Sequence, residues 1–130
     1  MQVHGLNHVT LRIRPEELPL LRSFYTEVLG LVEGWRPAFT FPGHWLYPPG
    51  GDTAAVHLAG NRSTAEPGAL PTGKFDHVSF FTSDIASARA RLTGRGIPFR
   101  EAPVPGSDLN QIFFVDPVGV QVELTFRNEF

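Results

Sequence analysis

The chain contains no cysteine and, among its 130 residues, only one methionine and one lysine, Lys74. The absence of cysteine excludes a disulfide framework, thiolate zinc sites and a cysteine nucleophile, leaving histidine and carboxylate as donors for any metal. Neither sign of charge dominates: 11 basic residues stand against 13 acidic ones, a formal net charge of -2 with neutral histidine. A basic stripe for nucleic acid and a polybasic patch for a membrane surface are therefore both missing. Long apolar runs are missing too, and no stretch approaches the roughly 20 residues of a membrane span. Residues 1–6 (MQVHGL) lack the basic region and apolar run of a signal peptide, so the cytoplasm is the expected compartment.

Punctuation is in excess, with 13 Gly and 12 Pro. That excludes a long helical bundle or coiled coil and predicts short elements joined by tight turns. A hydrophobic content of 42%, including 11 Phe, suffices to bury a core, and one compact domain is expected over residues 1–130.

Leu6 to Ile13 alternates, with Val9, Leu11 and Ile13 on one face and His8, Thr10 and Arg12 on the other, which predicts a half-buried strand. From Pro15 to Leu29 the period changes. Leu18, Leu21, Tyr25, Val28 and Leu29 recur at helical spacing, Glu16 and Glu17 occupy the first turn, and Gly30 stands where a helix stops. Three short apolar runs follow, broken by Gly34, Pro37, Pro42-Gly43 and Pro48-Pro49-Gly50-Gly51, the last being Thr53 to Ala59. After a Gly/Pro/Ser/Thr-rich stretch at residues 60–73, read as a linker, the pattern begins again. Phe75 to Thr82 predicts a strand. Ser83 or Asp84 caps a helix whose apolar side is Ile85, Ala88 and Leu92, ended by Gly94 and Gly96. Strands are predicted at Phe99-Arg100, Gln111 to Val115 and Val120 to Phe126, the last two joined by a type I turn at Asp116-Pro117-Val118-Gly119.

Two copies of one strand-helix-three-strand module, residues 1–59 and 74–130, account for the chain. Aligning Asn7-His8-Val9 with Asp76-His77-Val78 sets an offset of 69, and aligning Val56-His57-Leu58 with Val122-Glu123-Leu124 sets one of 66. His8 and His77 are then equivalent, as are His57 and Glu123, each polar between apolar neighbours. Two half-sheets, each with a helix on one face, can curl into a cup toward which these side chains converge. Three imidazoles and a carboxylate suit a divalent metal: zinc, iron(II), cobalt, nickel or manganese. His57 is open to three readings: a fourth ligand, a donor behind the ligands, or a filler. His4 and His44 have no repeat partner and read as surface or wall residues.

Arg12 lies four residues beyond His8 on the same strand face, and is either a grip for a substrate carboxylate or an exposed edge residue. Asn61 stands in the same relation to His57, and Gln121 and Thr125 share the face of Glu123. Phe39, Phe41, Trp45 and Tyr47 form an aromatic group that is either core or the wall of an apolar pocket.

The His8 strand, the helix ending Phe24-Tyr25-Thr26-Glu27-Val28-Leu29-Gly30-Leu31, Phe75-Asp76-His77-Val78 and the closing Asp116-Pro117-Val118-Gly119-Val120-Gln121-Val122-Glu123-Leu124 together resemble the vicinal oxygen chelate superfamily. That superfamily embraces glyoxalase I, extradiol dioxygenases, an epimerase, fosfomycin-modifying transferases and metal-free drug-binding (bleomycin resistance) proteins. The resemblance covers essentially the whole chain. It implies an α+β fold of paired βαβββ modules in a cup-shaped mixed sheet around one divalent metal, often in a homodimer that shares its sites. Similarity to bacterial glyoxalase I implies His8, His57, His77 and Glu123 as metal positions, Glu123 as catalytic base on a hemithioacetal passing through an enediolate, and glutathione held by Arg12 and Asn61. Trp45, Tyr47 and Gln121 would line the substrate. One departure stands out: His57 occupies the place of a glutamate in glyoxalase I. His8, His77 and Glu123 also match the two-histidine, one-carboxylate set of iron(II) ring-cleaving dioxygenases, although no accompanying His and Tyr pair occurs at residues 105–126. A third reading is a non-catalytic protein that holds a planar apolar ligand between Phe41, Trp45 and Tyr47.

Overall fold

The computed structural model describes residues 2, 4–63, 75, 77–105, 107 and 109–126. The expected linker therefore lies outside the described residues from position 64 onward, as does Asp76. The chain divides into two compact units, Met1–Gly68 and Ala69–Phe130. In the first, β1 (Val9–Arg12) leads through a helical segment to β2 (Val32–Gly34), β3 (Gly43–Tyr47) and β4 (Val56–Ala59). In the second, β5 (Val78–Thr82) leads through a helix to β6 (Arg100–Pro103), β7 (Asn110–Val115) and β8 (Gln121–Phe126). Each unit is a four-stranded mixed sheet, ordered β1-β4-β3-β2 and β5-β8-β7-β6, with one parallel pair and two antiparallel pairs. The fold is α+β, built of two βαβββ modules.

The repeat holds at the level of hydrogen-bonded register. Val9 pairs with Val56 in the first parallel ladder and Val78 with Val122 in the second, so the offsets of 69 and 66 both reappear. Both expected first strands are shorter than alternation suggested. The ladders open at Val9↔Val56 and Val78↔Val122, which leaves His8 and His77 one residue ahead of them.

The first helical segment departs from a single helix over residues 15–29. It comprises a 3-10 turn at Pro15–Glu17, six α-helical residues at Leu18–Ser23 (α1) and a π turn at Phe24–Val28. Pro19 has no N–H to bond back to Pro15, which keeps the opening turn out of the α-helical pattern. Near the other end, the Thr26 hydroxyl donates to the Arg22 carbonyl at 2.8 Å, a side-chain bond that competes with the helix ladder. The widened turn closes through Leu31 N–H on the Tyr25 carbonyl at 3.1 Å, with Gly30 at φ +74°. Its apolar stripe is unaffected: Leu18, Leu21, Tyr25 and Val28 are buried with Leu46, Val56 and Leu58. The second helix, α2 (Ile85–Gly94), is capped by the Asp84 carboxylate, which accepts from Ser87 N–H at 3.1 Å, and buries Leu92. Among the described residues no helix is long and apolar enough to cross a membrane.

Two local features make testable demands. A Cβ at Gly43 would lie 2.3 Å from the Leu58 carbonyl oxygen and 2.9 Å from Arg36 Nη2, so β3 approaches β4 only because nothing occupies that space. Gly43→Ala is expected to cost about 1–3 kcal/mol as the strands part, read as a lower urea midpoint at unchanged slope. At the sheet edge, Glu33 of β2 accepts from Arg22 Nε of α1 and from His44 Nδ1 of β3, each at 2.5 Å. Burial works to raise the Glu33 pKa, but the hydrogen bonds from His44 and Arg22, followed by their charges, outweigh it and hold the carboxyl below its ordinary value. The resulting stability is present above the ordinary carboxylate range and is lost as pH falls through the lowered native value. Glu33→Gln should therefore cost roughly 0.2–1 kcal/mol at neutral pH. Denaturation at successively lower pH should show the gap between variant and parent closing below about pH 4.

Candidate functional site

In both sheets one face carries the apolar residues packed on the helical segment and the other carries the chemistry. Strand alternation and register align the second face in rows across the sheet. In the first unit the central row is Thr10, His57, Trp45 and Gly34; in the second it is Ser79, Glu123, Phe113 and Arg100. His57 and Glu123 thus hold equivalent central positions.

In the first unit the rings stack. His57 lies between His8, at a centroid separation of 3.8 Å and 12°, and Trp45, at 3.8 Å and 11°. The Asn7 side-chain oxygen accepts from His8 Nδ1 at 2.7 Å, which leaves Nε2 of His8 as the nitrogen with the lone pair. Partial burial and the neighbouring His8 lower the His57 pKa, only partly opposed by a hydrogen bond to the Ala54 backbone, which favours the neutral form of the His57 ring. Imidazole nitrogen binds a metal in the plane of its ring, at about 2.0–2.1 Å. Two rings nearly parallel and 3.8 Å apart have no common point at that distance, so in this arrangement at most one of His8 and His57 can serve a given ion.

The second unit presents a different pairing. His77 Nε2 lies 3.7 Å from Glu123 Oε2, longer than a hydrogen bond and close to the edge between two donors, which is about 3.4 Å for a tetrahedral ion with donors near 2.1 Å. These two side chains fit as ligands of one ion. Glu123 is buried, and its carboxylate is held from behind: Thr125 Oγ1 donates to Oε2 at 3.4 Å, while Ser79 Oγ and Gln111 Nε2 reach Thr125 Oγ1 at 3.0 and 3.3 Å. Thr125 has a single hydroxyl proton, so giving it to Glu123 requires Ser79 to be the donor in their bond. Among the described residues no group of three or more His, Cys, Asp or Glu side chains is gathered as a metal cage. Taken unit by unit, the candidate ligands form one stacked pair, His8 and His57, and one ligand-spaced pair, His77 and Glu123.

The other anticipated residues fall as follows. Arg12 Nη2 donates to the Asn61 backbone carbonyl at 3.2 Å, bringing those two together at the end of β1. Trp45 and Tyr47 share the open face of β3, and the Tyr47 hydroxyl donates to the Trp35 carbonyl at 2.6 Å. Phe39 stacks on Phe41 with the Arg36 guanidinium over both rings, and Trp35 meets Trp45 edge to face. With Trp35 72% and Phe39 45% exposed, this aromatic group is a surface layer and not core. Gln121 lies on the Glu123 face two residues earlier. His44 is engaged by Glu33 on the edge of the sheet. Asn7, Ser79 and Gln111 join these residues, through His8 and Thr125. Asn7 was legible as an acceptor beside His8, whereas Ser79 and Gln111 come into view only through the register around Thr125.

The fold is shared with solved structures of diverse roles, all at identities that speak to architecture alone. Lactoylglutathione lyase from Agrobacterium tumefaciens superposes with a TM-score of 0.68 at 17% identity, covering 97% of this chain and 96% of that one. The fosfomycin resistance protein FosX from Listeria monocytogenes gives 0.70 at 17% identity, covering 98% and 97%. TnmS3, an antibiotic binding protein from Streptomyces sp. CB03234, gives 0.70 at 22% identity, covering 98% and 99%. No curated protein matches the chain. A family profile does match, over residues 5–124, and with the repeated βαβββ register it establishes that the chain belongs to the Glyoxalase/Bleomycin resistance protein/Dioxygenase superfamily.

Proposed function

We propose that the chain is a divalent-metal-dependent enzyme of the glyoxalase I type, acting on a small substrate with neighbouring oxygens. The observation that carries this reading is the His77–Glu123 pair, 3.7 Å apart with the carboxylate buried and held by Thr125. His77 and Glu123 are the metal ligands, and an imidazole of the first module, from this chain or a second copy, supplies a third donor. His8 suits that role better than His57, because Asn7 fixes its Nδ1 and leaves Nε2 for the metal. His57, stacked against Trp45, then orients His8. A bound divalent ion supplies positive charge to negative charge developing on the substrate oxygens.

Glu123 does the proton work. Its carboxylate takes a proton from one carbon and returns it to the neighbouring one, while Thr125 fixes its orientation and burial keeps water from competing. Arg12 and Asn61, joined at the end of β1, are proposed to hold glutathione, with Trp45, Tyr47 and Gln121 along the substrate. A homodimer in the cytoplasm, with sites shared between subunits, belongs to the same reading. Elemental analysis of the protein as isolated, then activity on methylglyoxal plus glutathione, tests it. Stoichiometric divalent metal with turnover is expected; protein that neither retains nor needs metal overturns it.

The exposed aromatic layer favours a second reading, a binding protein for a planar ligand stacked on Trp35, Phe39 and Trp45. Ligand binding unaffected by metal stripping, without turnover, would select it.

A further inference from the structure

On the second unit a shallow, open pocket of about 340 Å³ is lined by Phe99, Arg100, Phe113, Phe114, Val115 and Gln121, among others. Its volume falls in the range of small-molecule sites, and its walls are apolar apart from one cation and one amide. The Arg100 guanidinium carbon lies over the Phe113 ring, 4.1 Å from its centroid. A guanidinium over an aromatic ring engages that ring through its charge and π face, and its in-plane N–H fork can still grip a carboxylate with two parallel hydrogen bonds.

None of the described carboxylates pairs with Arg100. The adjacent Glu101 is turned to the opposite face by strand alternation and is held there by Arg89, at 2.8 to 3.0 Å, through both of its oxygens. A cation is therefore kept on an apolar floor while the nearest acid is engaged elsewhere. The register also ties the pocket to Glu123: Arg100 pairs with Phe113, and Phe113 with Glu123. Arg100 and Glu123 are two strands apart on one face, about 10 Å between backbones.

From this placement we propose that the pocket binds an aromatic carboxylate, with its carboxylate on Arg100, its ring on Phe113 and its far end directed toward Glu123. The charge of Arg100 selects the anion, the Phe99 and Phe113 rings select a planar body, and the Gln121 amide is available to a polar substituent. In naming the substrate class of the Glu123 site the proposal rests on the enzymatic reading. The binding step itself requires no metal.

The test is calorimetric titration of the full chain, both metal-stripped and zinc-loaded, with benzoate, phenylacetate and cinnamate beside their neutral amides. The acids should bind at least about tenfold more tightly than the amides, as one charge-assisted pair warrants. Arg100→Gln should abolish that preference while leaving the melting temperature and metal content as in the parent. Arg100→Lys, which keeps the charge but not the planar fork, should retain part of it. Should Arg100→Gln fold poorly, the Arg100 side-chain N–H resonance of the parent protein decides, since it must shift on adding the acid and not the amide. Equal affinity for acid and amide, no binding of any of the acids at millimolar concentration, or a preference that survives in Arg100→Gln overturns the proposal. Failure of the enzymatic reading registers separately. Protein that as isolated neither retains nor needs metal, yet discriminates acid from amide, refutes the enzyme and leaves this pocket standing, and metal-dependent turnover without discrimination does the reverse.

Discussion

Glu123→Ala is expected to release the metal and lower turnover by about 10²–10⁴-fold, the range for loss of a positioned general base. Both effects follow from the two roles proposed for this side chain, as ligand beside His77, 3.7 Å away, and as the group that moves the proton. Three further variants separate those jobs. His77→Ala should release the metal equally, since it removes the other member of the pair. Glu123→Gln keeps the shape and one donor oxygen but not the charge or the basicity, so turnover should fall further than metal affinity. Thr125→Val leaves Glu123 in place without its supporting hydroxyl, and a loss of about 10–100-fold in metal affinity or activity is expected for removing such a support. Metal content by elemental analysis and steady-state rates on methylglyoxal plus glutathione distinguish the four. Retention of metal by both His77→Ala and Glu123→Ala would end the assignment of this pair.

Asp116→Ala carries the second largest expectation, a loss of about 3 kcal/mol in stability. Asp116 is 5% exposed, and its Oδ1 accepts from Val118 N–H and Val120 N–H, both at 2.9 Å. The same turn is closed by Gly119 N–H on the Asp116 carbonyl at 3.1 Å, with Gly119 at φ +90°. Removing the carboxylate strands two donors whose hydrogen bonds to a charged acceptor are each worth about 1.5–3 kcal/mol. Asp116→Asn retains an acceptor oxygen and should recover more than half of the loss. Urea denaturation reads both. The turn also sets the register of β7 against β8, which is what places Glu123 opposite Phe113. Asp116→Ala should therefore weaken the Glu123 site as well as the fold, whereas a purely local turn would affect stability alone.

Much of the module was legible because its signals are local. Period-two and helical spacing, the Gly30 stop, the Asp84 cap and the Asp116-Pro117-Val118-Gly119 turn each depend on a few neighbouring residues, and each lies where the local chemistry predicts. The helix at residues 15–29 was legible in place and in its buried face but not in its winding, because Pro19 and the Thr26 hydroxyl act on the hydrogen-bond ladder and not on the apolar pattern. The equivalence of His57 with Glu123 could be read from two offsets alone. Register confirms it, since insertions between the modules change loops without changing which residues pair.

The side-chain geometry was not legible. Sequence puts His8 and His57 on one face, and that predicts shared coordination as readily as stacking; the order β1-β4-β3-β2 places His57 on the central strand between its two ring neighbours. Arg100 gave no local signal at all, being one residue of a weak strand until β6 paired with β7 and set it over Phe113. The sequence by itself determined the repeated βαβββ module, its apolar faces and the residue types able to bind a metal, because those reside in periodicity and composition. Only the tertiary structure decided which of those residues meet, because cross-strand neighbours are set by strand order and register, and ring orientation by the packing that those neighbours impose.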